Sequence, residues 1–324
     1  MPASDRVPEM TDREKYLFDV RGYIVVKGFL TDGEVAALNA AADANADRIQ
    51  DCDEALLGSA TLRGTVRRRQ YRDMLTWEPP WCDPFRDLLA HPGLWAYLHD
   101  LLGLGWHIDT EPFYFHYPKG ASGLNLHQGD PHFHPGAYYS YRNGEMRNGL
   151  LVAQFTLSDQ RAGDGGFAAI PGSHKSNFRR PWEVTRWEED RELVDNPTVL
   201  AGDLLIFTEA LTHGTLPWTA AHDRRALHYR YASKYVQFGS GMHEVALPAW
   251  TSELTEAQRA VLEPAYGYHR PLVRSDGSVT RPAVDAEDPP YRYGVPDSMT
   301  EADSSLQEST RKGTTVFRAP ARQA

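Results

Sequence analysis

The stretch from about residue 106 to 235 predicts a mainly β protein, a jelly-roll barrel with helices packed ahead of it. Three observations carry that expectation. Short apolar or alternating runs follow one another closely: WHIDTEPFYFHY, GLNLHQ, GLLVAQFTL, GFAAIPG, DLLIFTEA and RALHYRYASKYV. Gly, Pro, Asp and Asn punctuate them with no helical period between, the pattern of antiparallel strands in a sandwich or barrel. Helical periodicity is confined to the chain before them, which suits a jelly roll preceded by helices.

The first 50 residues read as helix, strand, helix. Residues 22–26 (GYIVV) form a short, β-branched apolar run, a buried strand. Thr31 is a natural N-cap, with Glu34 as its capping-box partner. Val35, Leu38 and Ala41 then recur at helical spacing. A second helical pattern runs over 83–103, with Phe85, Leu88, Leu89, Leu94, Tyr97, Leu98 and Leu101. Past about Pro264 apolar periodicity fades into a Pro-, Arg- and Asp-rich stretch. The expected organisation is one jelly-roll domain with its N-terminal helical part over 1–264 and an irregular extension over 265–324, acting as packed tail, lid or dimer arm.

Composition narrows the function classes. The 324 residues are 41% hydrophobic and 24% charged, ordinary for a globular protein. A formal net charge of −10 argues against a general binder of nucleic-acid polymers or membrane surfaces. Two cysteines, Cys52 and Cys82, make neither a disulfide framework nor a four-cysteine zinc site. No apolar run reaches the ~18 residues of a spanning helix. The N-terminus lacks the basic and apolar parts of a secretory signal, so a cytoplasmic location is expected. Oligomeric state stays open.

Of thirteen histidines, two stand at strand ends beside an arginine. His127 lies in NLHQGDPHFHPG, His213 in LLIFTEALTHGTLPW, and Arg224 follows in HDRRALHYRY. The segment 106–235 resembles the phytanoyl-CoA dioxygenase branch of the iron(II)/2-oxoglutarate oxygenases. The resemblance rests on LHQ, GDGGFAAIPGSHKSNF (163–178), AGDLLIFTEALTHGT (201–215) and an arginine eleven residues beyond the last histidine. The N-terminal GYIVVKGFL and its helix fit too.

That resemblance implies a double-stranded β-helix holding Fe(II), with 2-oxoglutarate and O2 as co-substrates. His127 would be the first iron ligand and His213 the distal one. Arg224 would clamp the far carboxylate of 2-oxoglutarate, and Gln154 would line the same pocket. Independent chemistry supports these roles. Oxygen-activating non-haem iron commonly sits on two histidines and one carboxylate, leaving open positions. A guanidinium fork matches a carboxylate bidentately. His174, in PGSH, reads as a turn residue. The H-x-D at His107 and Asp109 lies too far ahead of the other motifs to hold the metal.

One ligand departs from the pattern. Two residues past His127, where alternate side chains would share a face, the family's carboxylate is replaced by Gly129. Three readings follow. Gly129 leaves an iron position to chloride, as in the halogenases of this chemistry; this is the favoured expectation. Alternatively Asp130 supplies the carboxylate through a bulge, which gives a hydroxylase. Third, the site is a non-catalytic metal-binding jelly roll, joined by His132 and His134.

Five arginines (Arg63, Arg67, Arg68, Arg69 and Arg72) crowd one segment of an acidic chain. They read either as a solvated face or as an anion clamp, Arg67 and Arg69 foremost, with His132 and His134 near the mouth. The clamp predicts a free, polar, anionic small molecule, a nucleotide or another phosphorylated compound. Lys175, Arg179 and Arg180 form a second basic cluster. Carrier-tethered and coenzyme A substrates are the alternatives, and no sequence feature specifies either.

Overall fold

The computed structural model describes residues 9–52, 55–129, 134, 136–237, 247–265 and 270–281. Helix α1 (Asp12–Arg21), strand β1 (Tyr23–Val26) and helix α2 (Asp32–Ala44) follow the expected order. Capping boxes start both helices, Thr11 with Glu14 and Thr31 with Glu34. Strands β2 (Gln50–Asp51) and β3 (Arg69–Tyr71) come next, so the arginine-rich segment ends in a strand.

The helical pattern over 83–103 is divided. It forms α3 (Asp83–Leu88) and α4 (Trp95–Leu102), parted by a 3-10 turn at Pro92–Leu94. Pro92 has no N–H to continue a ladder, and it restarts the chain at an N1 or N2 position instead.

The barrel strands are β4 (His107–Ile108), β5 (Phe113–Tyr117), β6 (Leu124–His127), β7 (Tyr139–Arg142), β8 (Glu145–Asn148), β9 (Leu150–Thr156) and β10 (Gly166–Ala169). After the short helix α5 (Trp182–Thr185) come β11 (Leu204–Thr208), β12 (His213–Leu216) and β13 (Arg224–Ala232). Helix α6 (Glu256–Leu262) and the hairpin β14 (Leu272–Val273) and β15 (Val279–Thr280) complete the described chain.

One large antiparallel sheet has the order β1-β11-β9-β13-β5-β3-β2, with β4 also paired to β13. A small sheet has the order β10-β12-β6. The outer face of the large sheet (Ile24, Ala153, Phe155, Leu204, Ile206, Leu227, Tyr229) joins the helices in the principal core. Its inner face presents Tyr23, Val152, Leu205 and Phe207 to Phe167 and Ala169 of the small sheet. Period-2 alternation thus buries both faces, which explains why these strands read as near-continuous apolar runs. No helix among the described residues is long and apolar enough to cross a membrane.

Candidate functional site

The small sheet brings the two histidines together. In the antiparallel pair β6–β12, His127 is the register partner of His213. Side chains of partnered residues emerge on the same face, and the two imidazole centroids lie 4.3 Å apart. Nδ1 of His127 lies 3.0 Å from the Asn125 carbonyl oxygen, and Nδ1 of His213 lies 2.8 Å from that of Leu211. A carbonyl only accepts, so each Nδ1 carries the proton and each Nε2 keeps its lone pair. Burial pushes both pKa values down, that of His213 to about 3, with His127 beside it adding to the effect. Two neutral imidazoles with free Nε2 lone pairs are a donor set suited to a divalent metal.

Sequence reasoning missed Glu209, which stands in the loop between β11 and β12. Its side chain is only 4% exposed, and Oε2 lies 4.0 Å from Nε2 of His213. The other oxygen lies 3.3 Å from Nη2 of Arg230. Burial opposes its ionisation, and the Arg230 guanidinium offsets that penalty and holds its pKa below the ordinary carboxylate range. A charged residue inside the apolar run LLIFTEALTH, four residues before His213, was the available signal. Among the described residues, no three His, Cys, Asp or Glu side chains are already closed around one metal point.

Residue 129 corrects the expected geometry. Strand β6 ends at His127, and both following residues are left-handed, with φ of +61° at Gln128 and +66° at Gly129. The alternation that would put residue 129 on the face of His127 therefore does not continue. A Cβ added at Gly129 would fall 2.2 Å from Thr212 Oγ1. Glycine has a structural reason here, both in φ and in space. Asp130 and His132 lie outside the described residues. His134 is exposed, and its Nδ1 accepts a hydrogen bond from the Gly136 N–H.

Arg224 opens β13 on the inner face of the large sheet, opposite Tyr117. It is 3% exposed. Its Nη2 donates to Gln154 Oε1 (3.1 Å), its Nε to Gln160 Oε1 (3.3 Å), and its guanidinium covers the Tyr117 ring at 5.0 Å. No carboxylate within ion-pairing distance balances it among the described residues. A buried guanidinium with neutral partners costs free energy unless an anion joins it, so this cradle fits a carboxylate ligand. Gln154 also sits 3.0 Å from His228 Nε2, and the rings of His228, Phe207 and His213 follow in succession. That succession links Arg224 to the imidazole pair along one inner face.

The register also sorts the arginines. Arg69 pairs with His116 and Gln70 with Phe115. Phe113, Phe115 and Tyr117 line the inner face, so Arg69 projects outward, 48% exposed and 3.6 Å from Asp51. Arg67 is exposed ahead of the strand. Arg72, just past β3, reaches the inner face, its guanidinium 4.9 Å from the Phe113 centroid, with Arg230 5.8 Å from the same ring. His107 and His174 are buried and bonded to backbone carbonyls, His107 to those of Ile108 and Val236 and His174 to that of Asp19.

The phytanoyl-CoA dioxygenase (PhyH) family model matches residues 18–226. No curated protein sequence matches the chain. Among solved structures, HygX from Streptomyces hygroscopicus with nickel and 2-oxoglutarate bound is similar at 24% identity and a TM-score of 0.59. That match covers 72% of this chain and 91% of HygX. The non-haem α-ketoglutarate-dependent epimerase SnoN from nogalamycin biosynthesis shares 18% identity at a TM-score of 0.51, covering 73% and 92%. EctD from S. alaskensis, with 2-oxoglutarate and 5-hydroxyectoine, shares 22% at 0.51, covering 70% and 77%. At these identities the structural likeness concerns the jelly-roll fold, and the family match reaches further: the chain belongs to the phytanoyl-CoA dioxygenase family of non-haem iron, 2-oxoglutarate-dependent oxygenases.

Proposed function

We propose that this chain inserts oxygen into a C–H bond of a small, polar, anionic molecule, with His127 and His213 holding iron(II). The observation that carries the reading is Arg224, a buried guanidinium whose partners among the described residues are neutral, joined along one face to two imidazoles whose Nε2 atoms are unprotonated. Bound iron and 2-oxoglutarate supply the oxidising chemistry. The chain's own residues do the holding. Arg224 takes the far carboxylate of 2-oxoglutarate, and Gln154 and Gln160 fix the guanidinium plane. The two backbone carbonyls at Asn125 and Leu211 hold the imidazole tautomers. Arg72 and Arg230, flanking Phe113 on the inner face, are the cations placed to meet an anionic substrate.

Oxygen insertion is favoured over chlorination for two reasons. The left-handed conformations at Gln128 and Gly129 and the close approach of Thr212 account for the glycine without invoking a halide, and they remove the strict alternation on which the vacant-ligand reading depends. The buried, ionised Glu209 already places negative charge beside His213. Chlorination remains a second reading, supported by the missing donor at residue 129, with chloride as an added ligand. Incubation with iron(II), 2-oxoglutarate, O2 and a set of phosphorylated and carboxylated small molecules, with and without chloride, decides between them. A product heavier by one oxygen, independent of chloride, supports hydroxylation. A chlorinated product overturns it in favour of halogenation. No succinate with any substrate leaves a non-catalytic metal-binding jelly roll.

A further inference from the structure

We infer that Arg180 is a positioning residue for the iron site, a rivet that fixes the two histidine-bearing strands relative to one another. The inference rests on the reading of His127 and His213 as the metal ligands. Arg180 lies in the loop between the 3-10 turn Ser173–Lys175 and α5, far in sequence from either histidine. Its guanidinium nevertheless reaches both. Nη2 donates to the Leu126 carbonyl at 3.1 Å, and Nη1 donates to the Gln128 carbonyl and to Thr212 Oγ1, the latter at 2.9 Å. Arg180 thus binds the backbone on either side of His127 and the residue preceding His213.

The rest of the contact closes around that guanidinium. Thr212 Oγ1 donates to the same Gln128 carbonyl at 3.2 Å. Nε of Arg180 donates to Thr185 Oγ1 at 3.0 Å, which fixes the plane from the opposite side. Thr212 is anchored in turn, its N–H donating to Ser173 Oγ at 2.8 Å and its carbonyl accepting from the Ile170 N–H at 2.9 Å. Mechanically this matters because β6 ends at His127 and the next two residues leave the ladder in left-handed conformations. The pairing of β6 with β12 is itself irregular between His213 and Thr215. Ladder hydrogen bonds alone hold the mutual distance of the imidazoles loosely, and a planar fork bonded to both strands restores the constraint. A lysine has no planar fork with which to span three acceptors.

Partners that orient metal ligands from one shell out are worth about 10–100-fold in metal affinity when lost. The test uses the full chain stripped of metal, with nickel(II) as a redox-stable probe followed by calorimetric titration. Arg180→Lys and Arg180→Ala should each weaken nickel binding at least about tenfold. Thr212→Val, which removes one acceptor and one donor, should weaken it less. With cobalt(II) in place of nickel, Arg180→Lys should also change the visible absorption bands that report ligand geometry. If Arg180→Ala does not fold, Arg180→Lys and Thr212→Val carry the test. Unchanged affinity and an unchanged cobalt spectrum, whatever happens to the melting temperature of the metal-free protein, overturn the inference. Failure of the underlying site reading looks different: His127→Ala and His213→Ala would then bind nickel as tightly as the parent.

Discussion

Gly129 and Thr212 approach so closely that a methyl group on the former would meet the hydroxyl of the latter at 2.2 Å. The backbone at Gly129 is also left-handed, which costs a residue with a side chain roughly 1–2 kcal/mol. Gly129→Asp is the obvious variant for probing a missing carboxylate, and it is confounded. Gly129→Ala should already lower both the melting temperature and the nickel affinity, because the turn must move away from Thr212 and Arg180. Adding Thr212→Ala to Gly129→Ala should recover part of the loss, since the closest clashing atom is gone. Equal losses in the single and double variants would show that the contact is unimportant.

The tautomers of His127 and His213 make a prediction of their own. Alanine at either position should abolish the rise in melting temperature that nickel or iron(II) gives the parent, while leaving the metal-free protein folded. Thermal melts with and without metal read this directly. Persistence of the full metal-induced rise in either variant would place the ion elsewhere.

Arg224 predicts selective damage to co-substrate binding. Replacing it by alanine removes a charged hydrogen-bonding group worth about 1.5–3 kcal/mol, so 2-oxoglutarate should bind roughly 10- to 150-fold more weakly. Metal affinity should be little changed. Arg224→Lys should rescue only part, since the ammonium keeps the charge and loses the fork. An unaltered 2-oxoglutarate affinity in Arg224→Ala would falsify the assignment.

Glu209 and Arg230 are unequal partners, with side-chain exposures of 4% and 29%. Glu209→Gln leaves a cation that reaches water, whereas Arg230→Met strands a buried carboxylate. Arg230→Met should therefore destabilise the metal-free protein more, by about 3 kcal/mol. Iron(II) or nickel(II) should then raise its melting temperature more than it raises the parent's, because the ion restores positive charge beside Glu209. Denaturant melts of both variants, with and without metal, test the ordering. A larger loss in Glu209→Gln would reverse the argument.

His174 and Glu111 predict opposite responses to pH. Burial, reinforced by Lys175, pushes His174 down to about 4. The unfolded chain binds that proton more readily, so the stability from neutral His174 is present above about pH 6.5 and is lost as pH falls through 4. Burial and the neighbouring Asp73 push Glu111 up to about 7. Its contribution is present below about pH 4.3 and is lost as pH rises through 7. In metal-free melts across pH 4 to 8, Glu111→Gln should flatten the alkaline fall and leave the acid limb unchanged.

How much of this was readable in the sequence differs from residue to residue. The strands showed as apolar runs because both faces of the large sheet are covered, and the Thr31–Glu34 capping box spelled out the start of α2. His127, His213 and Arg224 stood out by motif. The facing of Arg69 and Arg72 was not legible, since inner and outer exchange with a one-residue uncertainty in where β3 begins. The turn at Gly129 was hidden for the same reason: alternation holds only while the strand lasts. Glu209 was visible as a carboxylate in an apolar run, but it lies four residues before His213, outside the two-residue spacing that alternation on a strand dictates. Arg180 gave no local signal, because its partners are backbone carbonyls of a distant strand.

The pairing of His127 with His213 has one more consequence, for the order in which the molecule is assembled. These ligands come from strands far apart along the chain, so the unfolded polypeptide does not hold the two imidazoles together. The barrel must close first, and the cation arrives as a guest in a finished building. What the folded site binds beyond the affinity of the unfolded chain's histidines then counts toward keeping that building shut.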